Sequence, residues 1–275
     1  MPGKVRRRVL IVLALIAGLY VLLATGLFLA QRSFIYPAPR DPGIAPASFK
    51  RVAYDTADGL TLHAGYKPAR AGYPTIVYFH GNGAAWPSSV VATDRMVPEG
   101  YGVLAAEYRG YCGNPGRPSE HGLYADGRAA IAFLERREVE PADIVLVGNS
   151  IGSGVATQMA KEIRPRALVL ISPFASLSRL VGERFRWLPT DVLLHDRFEN
   201  IGKIAAVDAP ILVLHGDADS LIPASHAFAL AEAEPSIELA IFAGYGHDLA
   251  WHDVAETRML RFLDEIPGAL ADPEP

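Results

Sequence analysis

Apolar positions along the chain fall into three successive patterns. Residues 9–30 form a run without a single charge, long enough as a helix to cross about 30 Å of hydrocarbon. Residues 51–56 and 60–66 instead alternate apolar and polar positions on either side of Asp58-Gly59, which predicts an antiparallel hairpin with one face toward water. From residue 75 onward the apolar runs are short and continuous, at 75–79, 101–106, 144–147, 167–171, 211–214 and 237–242. Unbroken runs of this length are expected of parallel strands covered on both faces. Helix-period stretches lie among the later runs, over residues 123–134, 155–163 and 249–266. Strands alternating with helices predict an α/β fold: a mostly parallel twisted sheet, an antiparallel N-terminal hairpin at one edge, and helices on both faces. Residues 173–200 break this rhythm with an irregular, aromatic-rich stretch, expected to form a small cap.

Charge changes the picture chiefly at the start of the chain. The 275 residues carry a net charge of −4, yet Lys4, Arg6, Arg7 and Arg8 all precede the long apolar run. The remainder is therefore more acidic than the total suggests, and nucleic acid is not an expected partner. Basic residues before an uncharged run orient it with its N-terminal side in the cytoplasm. An uncleaved signal anchor is the favoured reading, with a cleaved signal peptide or a buried core helix as alternatives. Ala24-Thr25-Gly26 offers only a weak cleavage site, and the run continues past it to Ala30. Residues 31–48, with Pro37, Pro39, Pro42 and Pro46, are read as an extended linker lifting a domain off the bilayer. The chain thus divides into a basic cytoplasmic tail (1–8), a transmembrane signal anchor (9–30), the linker (31–48), a catalytic domain (49–268) with its cap (173–200), and a disordered tail (269–275). The single cysteine, Cys112, excludes an internal disulfide and a cysteine-based zinc site.

Candidate chemistry centres on Gly148-Asn149-Ser150-Ile151-Gly152, set between an apolar run and a helical stretch. Strand, sharp turn and helix around Gly-x-Ser-x-Gly form a nucleophile elbow, with Ser150 as nucleophile. A serine hydroxyl needs a base, itself oriented by a carboxylate. Such partners follow in the order acid then histidine, from loops after later strands. His215-Gly216-Asp217-Ala218-Asp219 and Gly244-Tyr245-Gly246-His247 occupy those places. His247 is preferred to His252, which lies a turn into the last helix. Asp219 is preferred to Asp217, which is expected to brace its loop through local backbone bonds. Calcium is rejected because Ile222 and Phe228 would fall at positions where an EF-hand needs glycine and glutamate. Two backbone N–H groups are expected to form an oxyanion hole: Ile151, after the nucleophile, and Asn82, in the loop His80-Gly81-Asn82 after the third strand. His80 itself is read as structural.

Taken in order, Tyr78-Phe79-His80-Gly81-Asn82, Tyr108-Arg109-Gly110-Tyr111 continuing to Gly116-Arg117-Pro118-Ser119-Glu120, the elbow, Ser172-Pro173-Phe174, and residues 215–223 are similar to a known family. Residues 34–266 resemble the membrane-anchored α/β-hydrolases of the serine aminopeptidase-like group, which are related to single-pass eukaryotic members and to protein-depalmitoylating thioesterases. Cys112 departs from the pattern, in which glycine usually follows Tyr-Arg-Gly-Tyr. The resemblance implies a hydrolase with Ser150, Asp219 and His247 as its triad. The reading that follows is a serine hydrolase of carboxylic esters or thioesters, using no cofactor and no metal, acting on a small-molecule or lipid-like acyl substrate. It is expected on the membrane through its N-terminal helix, with the catalytic domain on the extracytoplasmic side. A peptidase or amidase on the same triad, or a catalytically silent membrane-tethered scaffold, are the alternatives.

Overall fold

The computed structural model describes residues 2–41 and 46–267. It opens with a long helix, α1 (Pro2–Ile35), followed by the hairpin β1 (Lys50–Asp55) and β2 (Thr61–Lys67). Next come β3 (Thr75–Phe79), two short helices, α2 (Trp86–Val91) and α3 (Met96–Glu99), and β4 (Gly102–Ala106). The chain continues with α4 (Glu120–Glu135), β5 (Ile144–Asn149), α5 (Gly152–Glu162) and β6 (Ala167–Ile171). The cap holds α6 (Leu177–Arg184) and α7 (Thr190–Leu193). The last elements are β7 (Ile211–Gly216), α8 (Ser225–Ala233), β8 (Glu238–Phe242) and α9 (Asp253–Asp264).

The eight strands form one sheet in the order β1-β2-β4-β3-β5-β6-β7-β8. Pairing is antiparallel from β1 to β2 and from β2 to β4, and parallel everywhere else. This is the sheet expected from the two kinds of apolar run. Every residue of β3 through β7 is buried, whereas β1 at one edge and β8 at the other are partly exposed. Alternate residues of one strand feed different cores: Val77 and Phe79 pack with α4 and α5, Ile76 and Tyr78 with α2, α3 and α9. Order reverses at the β3–β5 pair, because β4 lies on one side of β3 and all later strands lie on the other. A crevice opens at the carboxyl ends of strands where the order reverses in this way. The loops after β3 and β5 carry Asn82 and Ser150 into it.

The structure departs from the sequence reading in four places. Helix α1 does not stop at Ala30 but continues through Ile35, so the extended segment begins five residues later than the linker boundary at residue 31. The reason lies in the side chains: Ala24, Leu27, Phe28, Gln31 and Ile35 follow helical spacing, and this face is covered by the cap. The cap is not irregular throughout, since Ser176 accepts a hydrogen bond from the Arg179 N–H (3.2 Å) and starts α6. Helices α2, α3 and α8 are too short, or too weakly periodic, to stand out in the sequence. The last helix starts at Asp253, after a single 3-10 turn over Leu249–Trp251. The tail read at 269–275 and linker residues 42–45 lie outside the described residues.

Candidate active site

Two glycines make the turn after β5 possible. A Cβ on Gly152 would stand 2.0 Å from the Phe79 carbonyl oxygen, and one on Gly148 would stand 2.6 Å from that of Gly152. The helix can therefore start directly against the strand only without those side chains. Between them Ser150 is held at φ +53°, a region that costs a non-glycine residue roughly 1–3 kcal/mol. Its N–H donates to the Ile171 carbonyl on β6 (3.0 Å), which fixes the turn against the neighbouring strand. Oγ thereby projects above the carboxyl edge of the sheet.

The loops after β7 and β8 bring the other two groups to it. His247 Nε2 lies 3.0 Å from Ser150 Oγ, and His247 Nδ1 lies 2.7 Å from Asp219 Oδ2. Because Nδ1 faces a carboxylate it carries the proton, leaving Nε2 as acceptor for the serine hydroxyl. Asp219 Oδ1 accepts from the Leu221 and Ile222 N–H groups, at 2.9 and 2.8 Å. Burial on its own pushes the Asp219 carboxyl up, but the bonds from His247, Ile222 and Leu221 outweigh it and hold the pKa below the usual value. Asp219 is thus ionised wherever His247 needs an orienting charge.

Asp217 is placed differently. It is exposed, and its Oδ1 accepts from the Gly244 N–H at 2.7 Å, tying the β7 loop to the histidine-bearing loop. His252 pairs with Asp248 (3.1 Å) rather than with the serine. His215, which sequence reasoning treated only as part of a motif, supports the acid from behind. It is fully buried, its Nε2 donates to the Ile222 carbonyl (2.8 Å), and burial pushes its pKa down.

On the opposite wall, the Asn82 and Ile151 backbone N–H groups have no acceptor among the described residues. The loop bearing Asn82 is locked by its side chain. Oδ1 accepts from Tyr111 Oη (2.9 Å), and Nδ2 donates to the Ile35 carbonyl at the end of α1. His80 is buried, with Nε2 on Glu107 Oε1 (2.6 Å) and Nδ1 donating to the Gly81 carbonyl (2.8 Å). Burial disfavours its charge, yet the Glu107 carboxylate outweighs that and raises the pKa. His80 and Glu107 together hold the loop from beneath, and neither reaches the serine. Cys112, where the related pattern has glycine, takes φ +51° and donates its N–H to the Pro39 carbonyl (2.8 Å). Among the described residues no group of three or more His, Cys, Asp or Glu could hold a metal ion.

Ser150 opens into a cavity of about 380 Å³, within the usual range of about 300–1,000 Å³ for small-molecule sites. None of the residues lining it is charged. Cap residues Phe174, Leu177, Leu180, Phe185 and Leu188 form one side, and Leu221 and Ile222 lie beside the acid. The remaining side is formed by Leu27, Phe28, Gln31, Phe34 and Ile35 of α1. Sequence reading missed this wall, although i, i+1, i+4, i+7, i+8 spacing across the end of the apolar run was the signal for it.

The comparisons with known proteins agree with this architecture. An uncharacterised protein of Mycobacterium tuberculosis is 39% identical over 253 residues, covering 88% of this chain and 89% of the relative. The mouse alpha/beta hydrolase domain-containing protein 17C is 29% identical, over 90% of this chain and 76% of its own length. Among solved structures, the esterase Pf2001 of Pyrococcus furiosus superposes with a TM-score of 0.68 at 18% identity, over 84% of this chain and 99% of that one. Residues 76–260, from the first parallel strand into the last helix, match the alpha/beta hydrolase family, and it is to that family that the chain belongs.

Proposed function

We propose that the protein is a serine hydrolase of carboxylic esters or thioesters with apolar acyl groups. The observation that carries this reading is the uncharged, largely apolar cavity that opens on Ser150. His247 Nε2 takes the hydroxyl proton as Oγ bonds to the acyl carbon, and the N–H groups of Ile151 and Asn82 receive the charge developing on the carbonyl oxygen. Collapse of the tetrahedral intermediate breaks the bond to the alcohol or thiol, which leaves with the proton from His247. Water, deprotonated by the same imidazole, then attacks the acyl-enzyme. Carboxylic acid and free Ser150 result.

A peptidase would need an anionic group for a substrate amine. Three of the four acids of the cap are occupied elsewhere, Glu183 with Arg179 (3.0 Å), Asp196 with Arg32 (3.4 Å) and Glu199 with Ser178 (3.2 Å), and the fourth, Asp191, lies along a separate groove with Arg179 and Arg186. None of them lines the cavity.

Each methylene buried in the cavity contributes about 0.8 kcal/mol. Specificity should therefore rise roughly three- to fourfold per CH₂ across a p-nitrophenyl ester series until the cavity fills. A series from acetyl to octanoyl measures this. Flat kcat/KM values, with efficient cleavage of aminoacyl-anilides, would replace the ester reading by the peptidase one.

Helix α1 is long and apolar enough to cross a membrane, and Lys4 to Arg8 favour an orientation with its N-terminal side in the cytoplasm. The rest of the chain then lies on the extracytoplasmic side. Protease added to cells with a permeabilised outer layer should digest the hydrolase domain and spare a short N-terminal tag. Full protection of the domain would reverse the orientation.

A further inference from the structure

The second half of α1 is fastened to the cap by contacts that an anchor alone does not require. Gln31, buried within the contact, donates from Nε2 to the Leu193 carbonyl (3.2 Å) and accepts from the His195 N–H at Oε1 (2.9 Å). Arg32 Nε meets Asp196 (3.4 Å), the Phe28 and His195 rings stand 4.7 Å apart, and Tyr20 Oη donates to the Trp187 carbonyl (3.1 Å). The helix end itself is held by Asn82. The cap therefore follows α1 from Arg32 back to Tyr20, about 18 Å along the axis at 1.5 Å per residue.

That length sets a geometric constraint. Residues 9–19, which stand clear of the cap, span only about 16 Å, roughly half of the hydrocarbon thickness. A membrane-crossing α1 consequently brings the edge of the cap into the bilayer. The side chains there suit it: Phe185, Trp187 and Val192 of the cap are exposed apolar residues, Trp187 stands against Tyr20, and exposed Leu221 lines the cavity together with Phe185. The charged residues Arg179, Glu183, Arg186 and Asp191 gather instead along a separate polar groove.

We infer that α1 is one wall of the acyl-binding site, and that the substrate is an acyl ester of a bilayer lipid, entering the cavity sideways from the membrane. This rests on the ester-hydrolase reading above. Leu27 and Phe28, which line the cavity, belong to the apolar run that lies in hydrocarbon, so an acyl chain passes from lipid to Ser150 without crossing water. On that route the chain is never exposed to water, so the cost of extracting it from hydrocarbon into water is avoided. The reaction consumes the lipid ester and one water, and yields a fatty acid and an alcohol.

The test uses the full chain reconstituted in phosphatidylcholine vesicles, with 1-monoacylglycerols from butyryl to palmitoyl as substrates. Glycerol esters in the same vesicles as the enzyme should be hydrolysed at least tenfold faster than those supplied in separate vesicles. Leu27→Trp, which fills the cavity from the α1 side, should lower the ratio of dodecanoyl to butyryl cleavage at least tenfold. Leu27→Ala should move the optimum to longer chains. Leu22→Trp, on an exposed part of the helix, should keep the wild-type profile. Fluorophosphonate labelling of Ser150 shows that each variant is folded.

Unchanged chain-length profiles in labelled Leu27 variants would overturn the inference. So would equal rates from separate vesicles, or cleavage of an S-acylated peptide with glycerol esters left intact. If wild type still hydrolyses p-nitrophenyl acetate under those outcomes, only this inference falls. If wild type neither labels nor cleaves that soluble ester, the hydrolase reading falls with it.

Discussion

Replacing Ser150 by alanine is expected to abolish covalent labelling by a fluorophosphonate and to lower kcat by roughly 10⁶-fold. The size follows from the geometry. Oγ is 3.0 Å from a histidine whose tautomer is set by a buried carboxylate, and groups that act as one unit lose nearly everything when one member is removed. Fold should survive. Ser150 is buried in the turn, but its N–H bond to Ile171 is a backbone bond that alanine keeps. Alanine also tolerates φ +53° about as well as serine does. Full labelling of the variant would transfer the nucleophile to another residue.

Asp219→Asn should cost on the order of 10⁴ in kcat, because an amide can donate to Nδ1 and so favour the wrong imidazole tautomer. Asp217→Asn should behave in the opposite way, with rate little affected and the melting temperature lowered, since its Oδ1 bond to the Gly244 N–H joins two loops. The Asp219 substitution also changes the pH dependence of stability. Its pKa is lower folded than unfolded, so its contribution is present above the ordinary carboxylate range and is lost as pH falls through the folded value. The Asp219→Asn variant should therefore show a flatter acid side of the stability curve, read by thermal melts from about pH 3 to 7. If the folded Asp217 variant proves the slower enzyme, the acid moves to Asp217.

Much of this site was readable in the sequence alone, for physical reasons that differ from residue to residue. Ser150, Asp219 and His247 were legible because each stands on a short turn directly after a continuous apolar run, where chain order and strand ends restrict the candidates. The parallel strands were legible because burial on both faces leaves no polar punctuation. The α1 wall was not. Within residues 9–30, apolar on all sides, no face is marked, and the spacing that marks it (Leu27, Phe28, Gln31, Phe34 and Ile35) straddles the end of the run, where the helix was expected to stop. The Asn82 side chain was equally hidden, since its partners Tyr111 and Ile35 lie 29 and 47 residues away. His215 fell between the two cases: its place in the motif was visible, but its bond to the Ile222 carbonyl depends on how the loop returns.

An acyl-enzyme trapped during turnover would speak most directly to the chemistry. Wild-type protein mixed with p-nitrophenyl octanoate, quenched in acid within the first turnovers and digested, should yield one octanoylated peptide, with the acyl group on Ser150. Turnover of the ester with no octanoyl group on Ser150, or with the group on another side chain, would contradict the mechanism.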